Sequence, residues 1–125
     1  MTEPRILVAD DEPNIVLSLE FLMSRAGYRV EVVDNGDDAL ARALADPPDL
    51  LLLDVMLPRL SGYDVCQRLR ASPQCRDLPI LMLSAKGREA EIAKGLALGA
   101  TSYLTKPFAM QDLLAEVRRL LGARE

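Results

Sequence analysis

The sequence predicts an α/β fold, a five-stranded parallel sheet with helices on both faces. Three observations carry that reading. Short apolar runs alternate five times with amphipathic stretches along the 125 residues, and strict β-α alternation implies parallel strands joined by right-handed crossovers. The runs at 6–9, 50–53 and 80–83 are continuously apolar, as strands covered on both faces are. No linker, repeat or low-complexity segment interrupts the pattern, so residues 1–125 are expected to form one domain with a real core.

The expected strands are RILVA at 5–9, RVEVV at 29–33, DLLLL at 49–53, PILML at 79–83 and TSYLT at 101–105. The first helix is expected over 13–26, with Ile15, Leu19, Leu22 and Ala26 at helical spacing, Pro13 at its start and Gly27 past its end. The second, over 36–45, carries Ala39, Leu40, Ala43 and Leu44 and is stopped by Pro47 and Pro48. A third is expected over 61–71, with Gly62, Val65, Cys66 and Leu69 on one stripe. The fourth, over 87–98, is the weakest. Ile92 and Leu96 are its large apolar residues, and Gly95 lies inside it, a hint of mobility. The fifth, over 109–121, places Leu113, Leu114, Val117, Leu120 and Leu121 on one face, with Arg118 and Arg119 where the helix dipole favours cations.

Composition narrows the functions. The net charge is −4 and the pI is about 4.9, which argues against a phosphate-binding face of clustered Lys and Arg, so no direct nucleic-acid partner is expected. No apolar run is long enough to span a bilayer, and the start MTEPRILVADDE shows no basic region followed by a long apolar stretch, so no signal peptide is expected. A soluble cytoplasmic domain is expected. Histidine is absent, which removes His-based triads, imidazole zinc sites and the commonest general base. Cys66 and Cys75 read as one core thiol and one loop thiol in a reducing compartment, rather than a redox pair.

Ligands of such sheets bind beyond the carboxyl ends of the strands. Strand one ends in Asp10-Asp11-Glu12, strand three in Asp54, strand four in Ser84 and strand five in Thr105-Lys106-Pro107. Taken singly, strand-end aspartates are often caps or turn formers. Together they put carboxylates from two strands beside a hydroxyl and an ammonium. Such carboxylates repel one another and call for a cation. Lys106 supplies one charge, and Mg²⁺, which takes oxygen ligands, suits the rest.

The pieces LVADDE, LLLDVMLPRLSG, LMLSA and YLTKPF occur in this order, with 43 residues from Asp11 to Asp54, 30 from Asp54 to Ser84 and 52 from Asp54 to Lys106. Over its whole length the chain resembles the receiver (response-regulator) domains of bacterial two-component signalling, which are CheY-like. The resemblance implies a flavodoxin-like (βα)5 fold with strand order 2-1-3-4-5. It makes Asp54 the acceptor of a phosphoryl group from a histidine kinase. It gives Mg²⁺ the direct ligands Asp11, Asp54 and the backbone carbonyl of Met56, with Asp10 assisting through a water. Lys106 and Ser84 would each take a phosphoryl oxygen, and Tyr103 would change rotamer with Ser84. Pro58 and Gly62 match the loop after the acceptor, and Pro107 matches a proline preceded by a cis bond. The partner-binding face would be helix four, strand five and helix five. Thr101 and Ser102 stand where an acidic pair is common in regulators that dimerise through that face, so a monomer or a weak phosphorylation-dependent dimer is expected.

The implied partners are a sensor histidine kinase or histidine phosphotransfer protein upstream and a protein effector downstream. Met1, and Gly122 with no linker after it, lead to the expectation of a stand-alone receiver with no effector domain. The alternative is a receiver excised from a larger transcriptional regulator. A Mg²⁺-dependent phosphohydrolase with an Asp nucleophile is the rival from another class, but position 56 is Met, where such enzymes typically carry a second Asp. The chain is thus expected to be no enzyme beyond its own phosphorylation and dephosphorylation. A flavodoxin-like cofactor module fits poorly, because ADDEPN is too acidic for a phosphate loop.

Overall fold

A computed structural model of the chain describes residues 3–122. It has five strands, β1 (Arg5–Ala9), β2 (Arg29–Val33), β3 (Leu50–Asp54), β4 (Ile80–Ser84) and β5 (Ser102–Thr105). They alternate with α1 (Pro13–Arg25), α2 (Gly36–Ala45), α3 (Gly62–Arg70), α4 (Glu89–Ala97) and α5 (Met110–Gly122), and a 3-10 turn at Pro73–Cys75 precedes β4. All strand pairs are parallel, in the order β2-β1-β3-β4-β5. The fold class and strand order are therefore those expected. Strands three to five begin one residue later than the apolar runs suggest, and Asp54 and Ser84 themselves close β3 and β4. Gly122 is the last helical residue of α5 rather than the residue beyond it. Met1 and residues 123–125, on which the expectation about the chain's ends also leaned, lie outside the described residues.

Alternate residues of the central strands feed two cores. Ile6, Val8, Leu50, Leu52, Leu81 and Leu83 meet Leu19 and Met23 of α1 and Leu113, Val117 and Leu120 of α5. Leu7, Ala9, Leu51, Leu53, Ile80 and Met82 meet Ala39 and Ala43 of α2 and Val65, Cys66 and Leu69 of α3. This two-sided burial is why the runs are continuous rather than alternating. Both cysteines are free and buried. Cys75 is a core thiol as well, correcting its reading as a loop thiol, because the Pro73 turn tucks it against α2, where its Sγ bonds the Ala43 carbonyl.

Helix α4 is the exception to the pattern, with Gly95 as its only fully buried residue. A Cβ at 95 would stand 2.8 Å from Met82 Sδ and 3.1 Å from the Tyr103 ring. The glycine therefore permits close packing of α4 on β5, which gives a glycine inside this helix a packing role. Among the described residues no helix is long and apolar enough to cross a membrane.

Candidate functional site

Three strand ends turn in the same way. Asp10 Oδ1 accepts the Glu12 N–H at 2.9 Å, Asp54 Oδ1 accepts the Met56 N–H at 3.1 Å, and Ser84 Oγ accepts the Lys86 N–H at 3.1 Å. In each, a short polar side chain bonds its own backbone two residues on, which stabilises the turn out of the strand. The aspartates are thus turn formers, yet each keeps its second oxygen for the cleft. Those oxygens meet Lys106, whose Nζ lies 3.0 Å from Asp10 Oδ2, 3.4 Å from Asp54 Oδ2 and 2.7 Å from Glu12 Oε1.

The cluster is dry on one side and open on the other. Asp10, Asp54 and Ser84 are buried, while the Glu12 side chain is 55% exposed. Burial pushes the Asp54 carboxyl above the ordinary carboxylate range and the Asp10 charge adds to this; the Met56 N–H and Lys106 pull only part of the way back. For Lys106, burial alone disfavours the charge, but hydrogen bonds to Glu12 and Asp10 and the charges of Asp54 and Asp10 outweigh it, so its pKa is raised. Lys106 therefore holds its proton throughout the physiological range.

Asp10, Glu12 and Asp54 each offer an oxygen, and these lie within 4.8 Å of one another. One ammonium among three carboxylates leaves an excess of negative charge on hard oxygen donors, a fit for a divalent cation such as Mg²⁺. Sequence reasoning passed over Glu12 as a site residue. Its signal was present in the run Asp10-Asp11-Glu12, since residues two apart leave an extended segment on one side. Asp11, between them, is exposed and stands outside this three-carboxylate group.

The supporting residues fall around this cleft. Met56 is exposed, with its N–H on Asp54. The Pro58 carbonyl accepts the Gly36 N–H at 3.1 Å, tying the loop after Asp54 to α2, and the Gly62 N–H bonds the Val55 carbonyl at 2.9 Å. A Cβ at Gly62 would overlap the carbonyl oxygen of Asp54 itself, so glycine is required by that approach. The Lys106–Pro107 bond is cis. Tyr103 is half-buried, and its hydroxyl donates to the Lys86 carbonyl at 2.8 Å. Lys86 is thus held at both of its backbone polar groups, by Ser84 at the N–H and Tyr103 at the carbonyl.

An acidic cleft at the carboxyl edge of a 2-1-3-4-5 sheet, crossed by a lysine from the last strand, defines a class of phospho-signalling module. Comparison with known proteins agrees. The profile of the response regulator receiver domain family matches residues 6–118, and the chain belongs to that family. It is 46% identical over 121 residues to the alkaline phosphatase synthesis transcriptional regulatory protein PhoP of Bacillus subtilis, covering 97% of this chain and 50% of that protein. The chain thus spans about half the length of the curated relatives it matches. The chemotaxis response regulator CheY4 of Vibrio cholerae superposes with a TM-score of 0.90 at 33% identity, covering 95% of this chain and 99% of that one. The receiver domain of the sensor histidine kinase PA1611 of Pseudomonas aeruginosa, solved with magnesium in its active-site cleft, gives 0.89 at 31% identity, covering 97% and 99%. The expectation of no nucleic-acid partner finds no support here, since PhoP is a transcriptional regulator by name.

Proposed function

We propose that this chain is a phosphorylation switch that accepts a phosphoryl group on Asp54. The observation that supports it best is the buried Asp54 carboxylate, with one oxygen 3.4 Å from the Lys106 ammonium and Ser84 at the neighbouring strand end. Asp54 attacks the phosphorus of a phosphohistidine in line. An O–P bond forms as the P–N bond breaks, and the donor imidazole leaves with the electron pair. Catalysis here is positioning and charge neutralisation. Lys106 turns from the carboxylates to one phosphoryl oxygen, and the Ser84 hydroxyl donates to another. By resemblance, Asp11, Asp54 and the Met56 carbonyl would hold Mg²⁺ directly, with Asp10 acting through a water. When bound, Mg²⁺ would supply positive charge against the equatorial oxygens.

Drawn inward to donate its proton to the phosphoryl group, the Ser84 side chain carries Oγ away from the Lys86 N–H that it accepts from at rest. Tyr103 then exchanges its bond to the Lys86 carbonyl for an inward position, a two-state change that alters the face of α4, β5 and α5. Hydrolysis of the acyl phosphate restores Asp54, so the chain labels itself rather than turning over a substrate. A histidine kinase or histidine phosphotransfer protein is the proposed donor, which places the chain in the cytoplasm. The half-length match to PhoP favours a second reading of the output, in which this receiver controls the DNA binding of a longer transcriptional regulator rather than acting alone.

Incubation with acetyl phosphate and Mg²⁺, followed by intact-mass measurement, tests the reading. One phosphoryl adduct is expected, absent without Mg²⁺ and absent in Asp54→Asn. Labelling retained in Asp54→Asn would move the acceptor elsewhere. Repeated cleavage of small phosphate esters would favour a phosphohydrolase.

A further inference from the structure

Tyr63 occupies a place that the switch described above leaves unused. It follows Gly62, whose N–H bonds Val55 and whose α-carbon lies against the Asp54 carbonyl. The first turn of α3 is therefore wired to the acceptor's own backbone. From there the Tyr63 side chain, largely buried, reaches across to α4. Its hydroxyl donates to the Glu91 carbonyl at 3.3 Å, and the Lys94 ammonium sits 4.5 Å from the centre of its ring. Burial pushes the phenol up to about 12, with the adjacent Tyr103 hydroxyl and the Glu91 charge acting in the same direction. The two rings pack on the same core cluster and meet successive residues of α4, Lys94 over Tyr63 and Gly95 against Tyr103, one ring anchored on α3 and the other on β5.

Helix α4 has little else to hold it. Only Gly95 is fully buried, and it lies under the Tyr103 ring. One Glu91 carboxylate oxygen, Oε2, is buried and without a hydrogen-bond partner among the described residues. A buried acceptor left unpaired is costly, and it stands on the residue whose carbonyl receives the long Tyr63 bond. The α3–α4 contact thus has a donor that is weakly used and, on the same residue, an acceptor that is unused, so the hydroxyl bond holds α4 with little to spare.

We propose that Tyr63 is a positioning residue of the switch, a second aromatic that ties the start of α4 to the acceptor loop and holds it in the resting position. The proposal rests on the phospho-switch reading of Asp54. When Tyr103 turns inward it leaves its resting place against Gly95, and the Tyr63 tie to Glu91 gives way as α4 shifts. Removing the hydroxyl while keeping the ring should therefore release α4 part of the way toward the switched arrangement, without any phosphoryl group.

The test uses the whole chain labelled with 3-fluorotyrosine, titrated with beryllofluoride in the presence of Mg²⁺. Wild type should show Tyr28, Tyr63 and Tyr103 resonances, with Tyr103 moving on saturation. In Tyr63→Phe the Tyr103 resonance should sit part-way along that path before any beryllofluoride is added. Half-saturation should come at a concentration lower by about fivefold, the low end of coupling between two sites. Glu91→Gln, which keeps the carbonyl, should leave the resting Tyr103 resonance in place. A Tyr63→Phe protein with wild-type Tyr103 position and wild-type half-saturation overturns the proposal, even if its Tm has fallen, because a merely structural role changes stability alone. If wild type itself binds no beryllofluoride, the phospho-switch reading fails and this inference falls with it.

Discussion

Two clusters of ion pairs stand toward opposite ends of one sheet. Near the carboxyl edge, Lys106 gathers Asp10, Glu12 and Asp54, with the side chains of Lys106, Asp10 and Asp54 at most 9% exposed. Toward the amino-terminal end, Arg5 and Arg42 share Glu31, and Arg5 also meets Asp46, with side chains between 30% and 76% exposed. The contacts themselves are alike, from 2.7 to 3.4 Å in the first and from 2.8 to 3.3 Å in the second. What differs is the solvent. Water screens the second cluster and makes its pairs worth little. In the first, desolvation raises the cost of every charge left unbalanced. The same chemistry is surface decoration at one end and a desolvated, unevenly balanced cluster at the other.

The largest expected effect removes the balancing charge. Lys106→Met should lower the unfolding free energy by about 2–3 kcal/mol in urea at neutral pH without divalent cations, somewhat below the loss for a fully enclosed pair. Added Mg²⁺ should restore part of it. A loss no larger than that from the exposed cluster would erase the distinction drawn between them.

Asp54→Asn should act in the opposite sense. Asp54's folded pKa lies above its unfolded value, so its contribution is most favourable below the unfolded value and is lost as pH rises through the folded one. Replacement by neutral Asn should therefore stabilise the metal-free protein at pH 7 by about 1 kcal/mol, the lower end of what removing a buried ionic group gains. The gain should shrink as the pH is lowered and Asp54 takes up its proton, and melting curves against pH would show it. An Asn variant that is less stable at every pH would mean that the Asp54 charge is well paired rather than strained.

The smallest effect belongs to Arg42→Ala. Its pair with Glu31 is exposed on both sides, and its loss should cost under about 0.5 kcal/mol, with no change in acetyl phosphate labelling. A larger cost would show that the Arg5–Glu31–Arg42 group acts as a network.

Much of this was legible in the chain itself. Strand count, direction and two-sided burial follow from where apolar residues fall, because the periods of helix and strand are properties of the backbone. The start of α1 was readable from Pro13, and that of α2 from the apolar spacing that begins after Gly36. Side-chain caps add to what the pattern showed, with Asn35 accepting the Asp38 N–H at 2.8 Å and Ser61 accepting the Asp64 N–H at 3.2 Å. The convergence of Asp10, Asp54, Ser84 and Lys106 on one edge also followed, since parallel strands bring all their carboxyl ends to the same side.

Tertiary structure decided which neighbours each side chain meets. Of three consecutive acidic residues, the turn after β1 buries Asp10, sends Glu12 to Lys106 and leaves Asp11 exposed. Gly95 read as a weak point in α4 until the Tyr103 ring and Met82 were found where its side chain would be. Tyr63 and Tyr103, forty residues apart, carry no sequence signal that they are neighbours. Local pattern fixes which way a residue faces along its own element. Which residue of another element stands opposite is set by how helices settle across the sheet, and that depends on the packing of the whole core.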